Sequence, residues 1–252
     1  MRFVNLSIDE DIAVVTINRP KVNALNEPLV EELYECLQKL ADKPNAQVKA
    51  IILTGVGSFF SFGLDVPEFL SYPKDAFTRF LAKFTELISY IFQYPKPVIA
   101  ALNGHAVAGG CMLAIACDYR LMVSDKAKIS LNEITFGSSV FASAVSILKH
   151  WVGGRNAERI LYSGKMYSAE EARGLGLIDE VVSKENLDEA ARKTARELAS
   201  KNGDAFHSIK MLLRRPVGEE INKREINSIL EFVEIWYSES TWENLEKIKI
   251  RD

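Results

Sequence analysis

Three short runs, Val48–Thr54, Val98–Leu102 and Tyr119–Val123, are largely apolar and are bounded by glycines or turn clusters. Runs of this length suit strands covered on both faces rather than helices. Between and around them lie helical stretches. From Glu27 to Leu40, Leu29, Val30, Leu33, Leu37 and Leu40 recur at helical spacing with acids near the start, and Ala76–Phe92 reads as a second helix ended by Tyr94-Pro95-Lys96-Pro97. A β-branched run, Asp11–Ile17, stops at Asn18-Arg19-Pro20, and another helix is expected to start at Gly109-Gly110. Strands alternating with helices imply right-handed βαβ units and a mainly parallel α/β core.

Past about Val140 the pattern changes to helix upon helix: Leu187–Ser200, Ala205–Arg214 and Glu219–Lys247. The last carries Ile226, Leu230, Val233 and Trp236 as an apolar stripe, which calls for packing against the core or another subunit. The 252 residues suit one large domain or one with a small appendage. A net charge of −3 offers no footprint for nucleic acid or an anionic membrane. Three cysteines without a CxxC pair and three scattered histidines point to free thiols and no metal site. No apolar run reaches the ~20 residues needed to cross a bilayer. The start at Met1–Asn5 runs straight into strand-like sequence, and Ile250-Arg251-Asp252 carries no peroxisomal signal, so a cytoplasmic protein is expected.

Three segments carry residue types suited to chemistry. In Phe59–Asp65, Gly63 permits close backbone approach to a ligand, and the Leu64 N–H is placed to point into a cleft. In Asn103–Cys111, Gly109 and Gly110 open a helix whose unpaired N–H groups and dipole favour developing negative charge. In Ile129–Gly137, a single carboxylate, Glu133, stands in uncharged surroundings, where burial raises its pKa and suits a base that returns the proton it takes. Taken alone, each also fits a plainer role: a turn glycine, tight helix–strand packing, an ordinary loop glutamate. Cys111 and Cys117 read as small buried packing residues, and His105 as a turn histidine.

Taken together, these pieces resemble the crotonase (enoyl-CoA hydratase/isomerase) superfamily over almost the whole chain. The resemblance rests on Asn18-Arg19-Pro20 with Asn23-Ala24-Leu25, on Phe60–Asp65, on Lys96–Gly104, on Ala108–Cys111 and on Ala172–Val182. It implies a repeated ββα spiral core over residues 1–190, shared with ClpP-like folds, and a helical trimerisation region over 191–252. It also implies a homotrimer or dimer of trimers, and a bent acyl-CoA thioester as substrate with no separate cofactor. The thioester carbonyl would be held by the Leu64 and Gly109 amides, with Ala24, Phe62, Gly63, Asp65, Gly110 and Asn132 as further binding residues. An RNA-binding role, found in one offshoot of the family, needs a lysine-studded first helix, whereas Glu27, Glu31, Glu32 and Glu35 face only Lys39 here.

The family's fold serves several reactions, so the choice rests on side chains. Hydratases of the family use two glutamates, one just after the second oxyanion glycine pair. That position here is Met112, and a thioether neither orients nor deprotonates a water. Moving a double bond from the 3,4 to the 2,3 position needs one base, and Glu133 suffices. Ser130–Glu133 and Gly110–Ala114 resemble the Δ3,Δ2-enoyl-CoA isomerase branch. Val140 and Phe141 are expected to line the acyl site and keep water from a dienolate. A hydratase, hydrolase or decarboxylase of the same fold and a non-catalytic acyl-CoA binding protein remain the alternatives.

Overall fold

β-branched and apolar runs make a sheet here because each is followed by a turn that sends the chain to a second, smaller sheet and then into a helix. A computed structural model describes residues 1–42 and 47–250; Arg251 and Asp252, read above for a sorting signal, lie outside them. In chain order the elements are β1 (Val4–Asp9), β2 (Ile12–Ile17), α1 (Glu27–Ala41), β3 (Ala50–Gly55), β4 (Phe59–Ser61), α2 (Val66–Phe69), α3 (Lys74–Phe92), β5 (Val98–Leu102), β6 (His105–Val107), α4 (Gly109–Ala116), β7 (Tyr119–Val123), β8 (Ile129–Ser130), α5 (Ala142–Ser163), α6 (Ala169–Gly174), β9 (Glu180–Val182), α7 (Leu187–Ala199), α8 (Gly203–Trp236) and α9 (Glu239–Leu245). The large sheet runs β1-β2-β3-β5-β7-β9, antiparallel only between β1 and β2, and the small parallel sheet runs β4-β6-β8. From β3 onward each ββα unit thus gives its first strand to the large sheet and its second to the small one, the crotonase spiral expected from the sequence.

The buried faces follow the sequence pattern. β5 is buried along its whole length, α1 buries Leu29, Val30, Leu33, Cys36, Leu37 and Leu40, and Asn26 caps α1 by accepting from the Leu29 N–H. Between the sheets and the late helices runs an aromatic spine on α2 and α3, with Phe69 stacked on Phe80 at 4.2 Å.

The C-terminal part departs from the sequence reading in four ways. The chain returns to the large sheet at β9, which pairs with β7, so the region after Val140 is not purely helical. The expected break between Arg214 and Glu219 is absent, and α8 continues through Pro216. Lys210, Arg214, Gly218 and Ile221 form one buried face on both sides of the proline, and packing along that face outweighs the local propensity. The carbonyl that loses its donor belongs to Leu212, a strongly exposed residue, so it is not shut away from solvent. The stripe on the last helix divides: Val233 and Trp236 are buried, Ile226 and Leu230 are exposed, and the helix ends at Trp236 before α9 begins. The boundary expected at residue 190 falls inside α7, which packs on β2, β3, β5 and β7. His105 opens strand β6 rather than a turn, with its Nδ1 accepting from the Lys128 N–H.

Candidate active site

The small sheet brings the three chemistry-bearing segments together, because all three emerge from the same end of its parallel strands. Leu64 follows β4, Gly109 follows β6 and Glu133 follows β8, each within three residues of the strand end. The Ala108 N–H donates to the Ser130 carbonyl at 2.8 Å, which ties the glycine turn to the strand that leads to Glu133.

The polar residues around Leu64 form its scaffold. Arg19 pairs with the Asp65 carboxylate at 2.6 Å and donates to the Ala24 carbonyl at 3.0 Å. Asn23, at positive φ, donates to the Val56 and Phe59 carbonyls, and the Ser61 hydroxyl donates to the Asn23 carbonyl. Leu25 N–H donates to the Gly63 carbonyl and Asp65 N–H to the Leu25 carbonyl, at 2.7 and 2.9 Å. Because backbone groups alternate along an extended chain, this bridge turns the Leu64 N–H to the opposite edge. There Gly63, at φ 100°, lies so close to the next turn that a Cβ on it would sit 3.0 Å from the Gly109 nitrogen. Ala108 adopts φ 49° and ψ −120°, a costly conformation for a residue with a Cβ, and its ψ fixes the direction of the Gly109 N–H at the start of α4. Among the described residues neither the Leu64 nor the Gly109 N–H meets an acceptor. Two adjoining free amides, one at a helix start, form a ready site for an oxyanion.

Glu133 heads a 3-10 turn, Glu133–Phe136, closed by Gly137 in the left-handed region, and Thr241 of α9 clamps that turn by donating to the Gly137 carbonyl at 2.8 Å. The carboxyl is 4% exposed, its Oε2 has no hydrogen-bond partner, and burial pushes its pKa up to about 8 against the small opposing effect of its own N–H. The neighbouring Asn132 also leaves its buried side-chain oxygen unpartnered.

A cavity of about 290 Å³ collects Leu64, Gly109, Met112, Asn132, Glu133 and Phe62, and Glu133 is the only titratable side chain lining it among the described residues. Of the other residues singled out from the sequence, Ala24, Gly63, Asp65 and Gly110 do not line the cavity. The first three belong to the scaffold just described, and Gly110 packs α4 on β4, where a Cβ would lie 2.2 Å from the Ser61 carbonyl oxygen. Phe141 lines the cavity as expected, but Val140 does not; it faces a separate surface hollow with Leu131 and Tyr162, because the two are consecutive residues just ahead of α5, with Phe141 still extended, and point opposite ways. Phe84, Phe232 and Trp236 also line the cavity. Sequence reasoning missed them as site residues, although the stripe on the last helix contained Trp236. Cys36, Cys111 and Cys117 are buried packing residues whose thiols burial pushes up, to about 11 for Cys36 and about 12 for Cys117. No three His, Cys, Asp or Glu side chains among the described residues come together as metal ligands. Among the described residues no helix is long and apolar enough to cross a membrane.

The enoyl-CoA hydratase/isomerase family profile matches residues 7–239. The chain belongs to the enoyl-CoA hydratase/isomerase family. A probable enoyl-CoA hydratase of Bacillus subtilis (strain 168) is 35% identical over 216 residues, which is 84% of this chain and 82% of the relative. Among solved structures, human mitochondrial delta3-delta2-enoyl-CoA isomerase matches with a TM-score of 0.92 at 26% identity, covering 97% of this chain and 95% of that one. One Mycobacterium tuberculosis protein is called an enoyl-CoA isomerase in one structure and a probable enoyl-CoA hydratase in another, with TM-scores of 0.83 and 0.84. Both of these structures are 28% identical to this chain and cover 91% of it, and the chain spans 98% and 95% of them. Names within the family therefore do not choose the reaction of an enoyl-CoA hydratase/isomerase, and its side chains must.

Proposed function

We propose that this family member is an enoyl-CoA isomerase, which moves a 3,4 double bond of a fatty acyl-CoA to the 2,3 position with Glu133 as the proton carrier. The observation that carries this reading is the pairing of Glu133 with Met112 in one apolar cavity. In the ionised state Glu133 removes a proton from C2, and the electron pair shifts through C1 onto the thioester oxygen to give a dienolate. The Leu64 and Gly109 amides stabilise that oxygen. The same carboxyl then delivers the proton to C4, the electrons return, and the double bond rests between C2 and C3 with no atom gained or lost. A carboxyl with a pKa near 8 suits both halves of this exchange, since it is a stronger base than an exposed glutamate and still an acid once protonated.

Hydration needs a second group that holds and deprotonates water at C3. The names of curated relatives favour that reading, yet among the described residues the lining offers no second acid or base beside Glu133: its other side-chain groups able to meet a water are the Met112 thioether, the Asn132 amide and the Thr135 hydroxyl, which already donates to the Asn132 carbonyl at 2.7 Å. The test is a product assay on 3-enoyl-CoA and 2-enoyl-CoA esters run side by side, with mass and double-bond position analysed. The expected result is conversion of the 3-enoyl to the 2-enoyl ester without a mass gain, lost by at least a thousandfold in Glu133→Gln while ester binding persists. Strong mass gain on the 2-enoyl ester, or near-normal turnover by the variant, overturns the proposal.

A further inference from the structure

The cavity has a wet end and a dry end. Asn132, Thr135, Phe136 and Ile248 are partly exposed and mark its mouth, whereas Phe84, Phe141, Phe232 and Trp236 are exposed by 0%, 1%, 3% and 1%. These four rings form a continuous wall that starts at the oxyanion turn, where a Cβ on Gly109 would lie 3.2 Å from Phe84 Cζ. From there, ring centroids step 6.2 Å from Phe84 to Phe141, 4.6 Å to Phe232 and 5.7 Å to Trp236. Behind Trp236 the space is filled by Phe77, whose ring is 4.8 Å away. The wall therefore ends against packed core.

We propose that this blind end measures the acyl tail, with Trp236 of α8 as its floor, and that it sets a preference for short- and medium-chain esters. The inference rests on the reading of the cavity as the acyl site. Its volume of about 290 Å³ lies at the small end of ligand pockets, which run about 300–1,000 Å³, so it takes the reacting carbons and a short tail. The rest of the thioester lies outside, and a long tail must leave by the mouth, where its further carbons stay wet. Trp236 is suited to be altered: its buried indole N–H has no hydrogen-bond partner, so replacing the ring breaks no polar contact.

The experiment is calorimetric titration of the full chain with saturated acyl-CoA esters of four to sixteen carbons. Such esters have no double bond to move or hydrate, so a hydratase in place of an isomerase leaves the titration unaffected, and a hydrolase shows itself by free CoA in the cell. Affinity is expected to rise about fourfold per methylene while the tail fills the blind end, then to level off. In Trp236→Phe and Trp236→Ala the break moves to longer chains, by more in the alanine variant. If Trp236→Ala fails to fold, Phe232→Leu with Trp236→Phe carries the same comparison, with circular dichroism as the check of folding. A constant increment through sixteen carbons in the unaltered protein overturns the inference, as does a break that stays fixed in folded variants.

Discussion

Glu133 keeps a proton that the unfolded chain gives up. Burial lifts its pKa from an ordinary 4.5 to about 8, so between those values the folded state holds a proton the unfolded state has released. Stability contributed by this group therefore falls as pH rises through that window, and stays low above about pH 8, where both states are ionised. Gln at the same position never ionises. Glu133→Gln should accordingly melt close to the parent at pH 5 and well above it at pH 9, with the gap growing by up to about 1.4 kcal/mol per pH unit in between. Thermal melts of both proteins at several pH values check this; a gap of one size at every pH would mean that the carboxyl ionises normally. In the parent, turnover should rise with pH up to about 8, because the proposed mechanism uses the ionised carboxylate as the base. The residue was legible in the sequence as a lone acid among uncharged neighbours. Its unpartnered Oε2 was not, since that depends on which other segments close over it.

The elements that matter most are the three short strands of the small sheet and the helix that starts between them. Gly109 and Gly110 stood out together as a glycine pair, and the structure divides their work. Gly109 leaves its N–H free beside Leu64, whereas Gly110 lets α4 lie directly on β4, with room for no atom before the Ser61 carbonyl. Gly110→Ala must push α4 away from β4, and with it the Gly109 amide away from Leu64. The expected cost is about 1–3 kcal/mol or more of stability, together with a fall in kcat of at least a hundredfold. Differential scanning calorimetry and steady-state kinetics on the same preparation check both effects, and an unshifted melting temperature would show that the contact yields. The strands β2, β3, β5 and β7 and the helices α1 and α3 were legible to within a few residues, because each combines a clear period with a turn signal at its end, whereas β4, β6 and α2 are too short to show a period. The passage of α8 through Pro216 was not, because a proline reads locally as a break and only the buried face on either side reveals why the helix goes on.

At the scale of the whole molecule, α8 must be held against the core for Phe232 and Trp236 to close the cavity, and its anchor is ionic. Asp118, just before β7, accepts from Lys210 Nζ at 2.8 Å through one oxygen and pairs with Arg214 Nη2 at 2.8 Å through the other. Both cations are buried side chains of α8, and burial, helped by the neighbouring Arg214 charge, pushes the Lys210 pKa down to about 8 against the opposing pull of Asp118. Nothing in the sequence pointed to this cluster. Arg214 only marked the end of an expected helix, and its partner lies almost a hundred residues away, a separation across which local pattern carries no information. Such a cluster adds little over apolar packing when complete, but it is costly to break, because the charges left behind stay out of water. Asp118→Asn keeps the shape, and its amide oxygen still serves the Val98 N–H, which now donates to the Asp118 carboxylate at 2.7 Å. It nevertheless leaves two buried cations without a counter-ion, at an expected cost of about 3–5 kcal/mol. Urea titration should show this as a lower midpoint with an unchanged slope, since the surface exposed on unfolding is the same. A midpoint equal to that of the parent would mean that apolar contacts alone hold α8, and that Lys210 and Arg214 swing out to water at no cost to the fold.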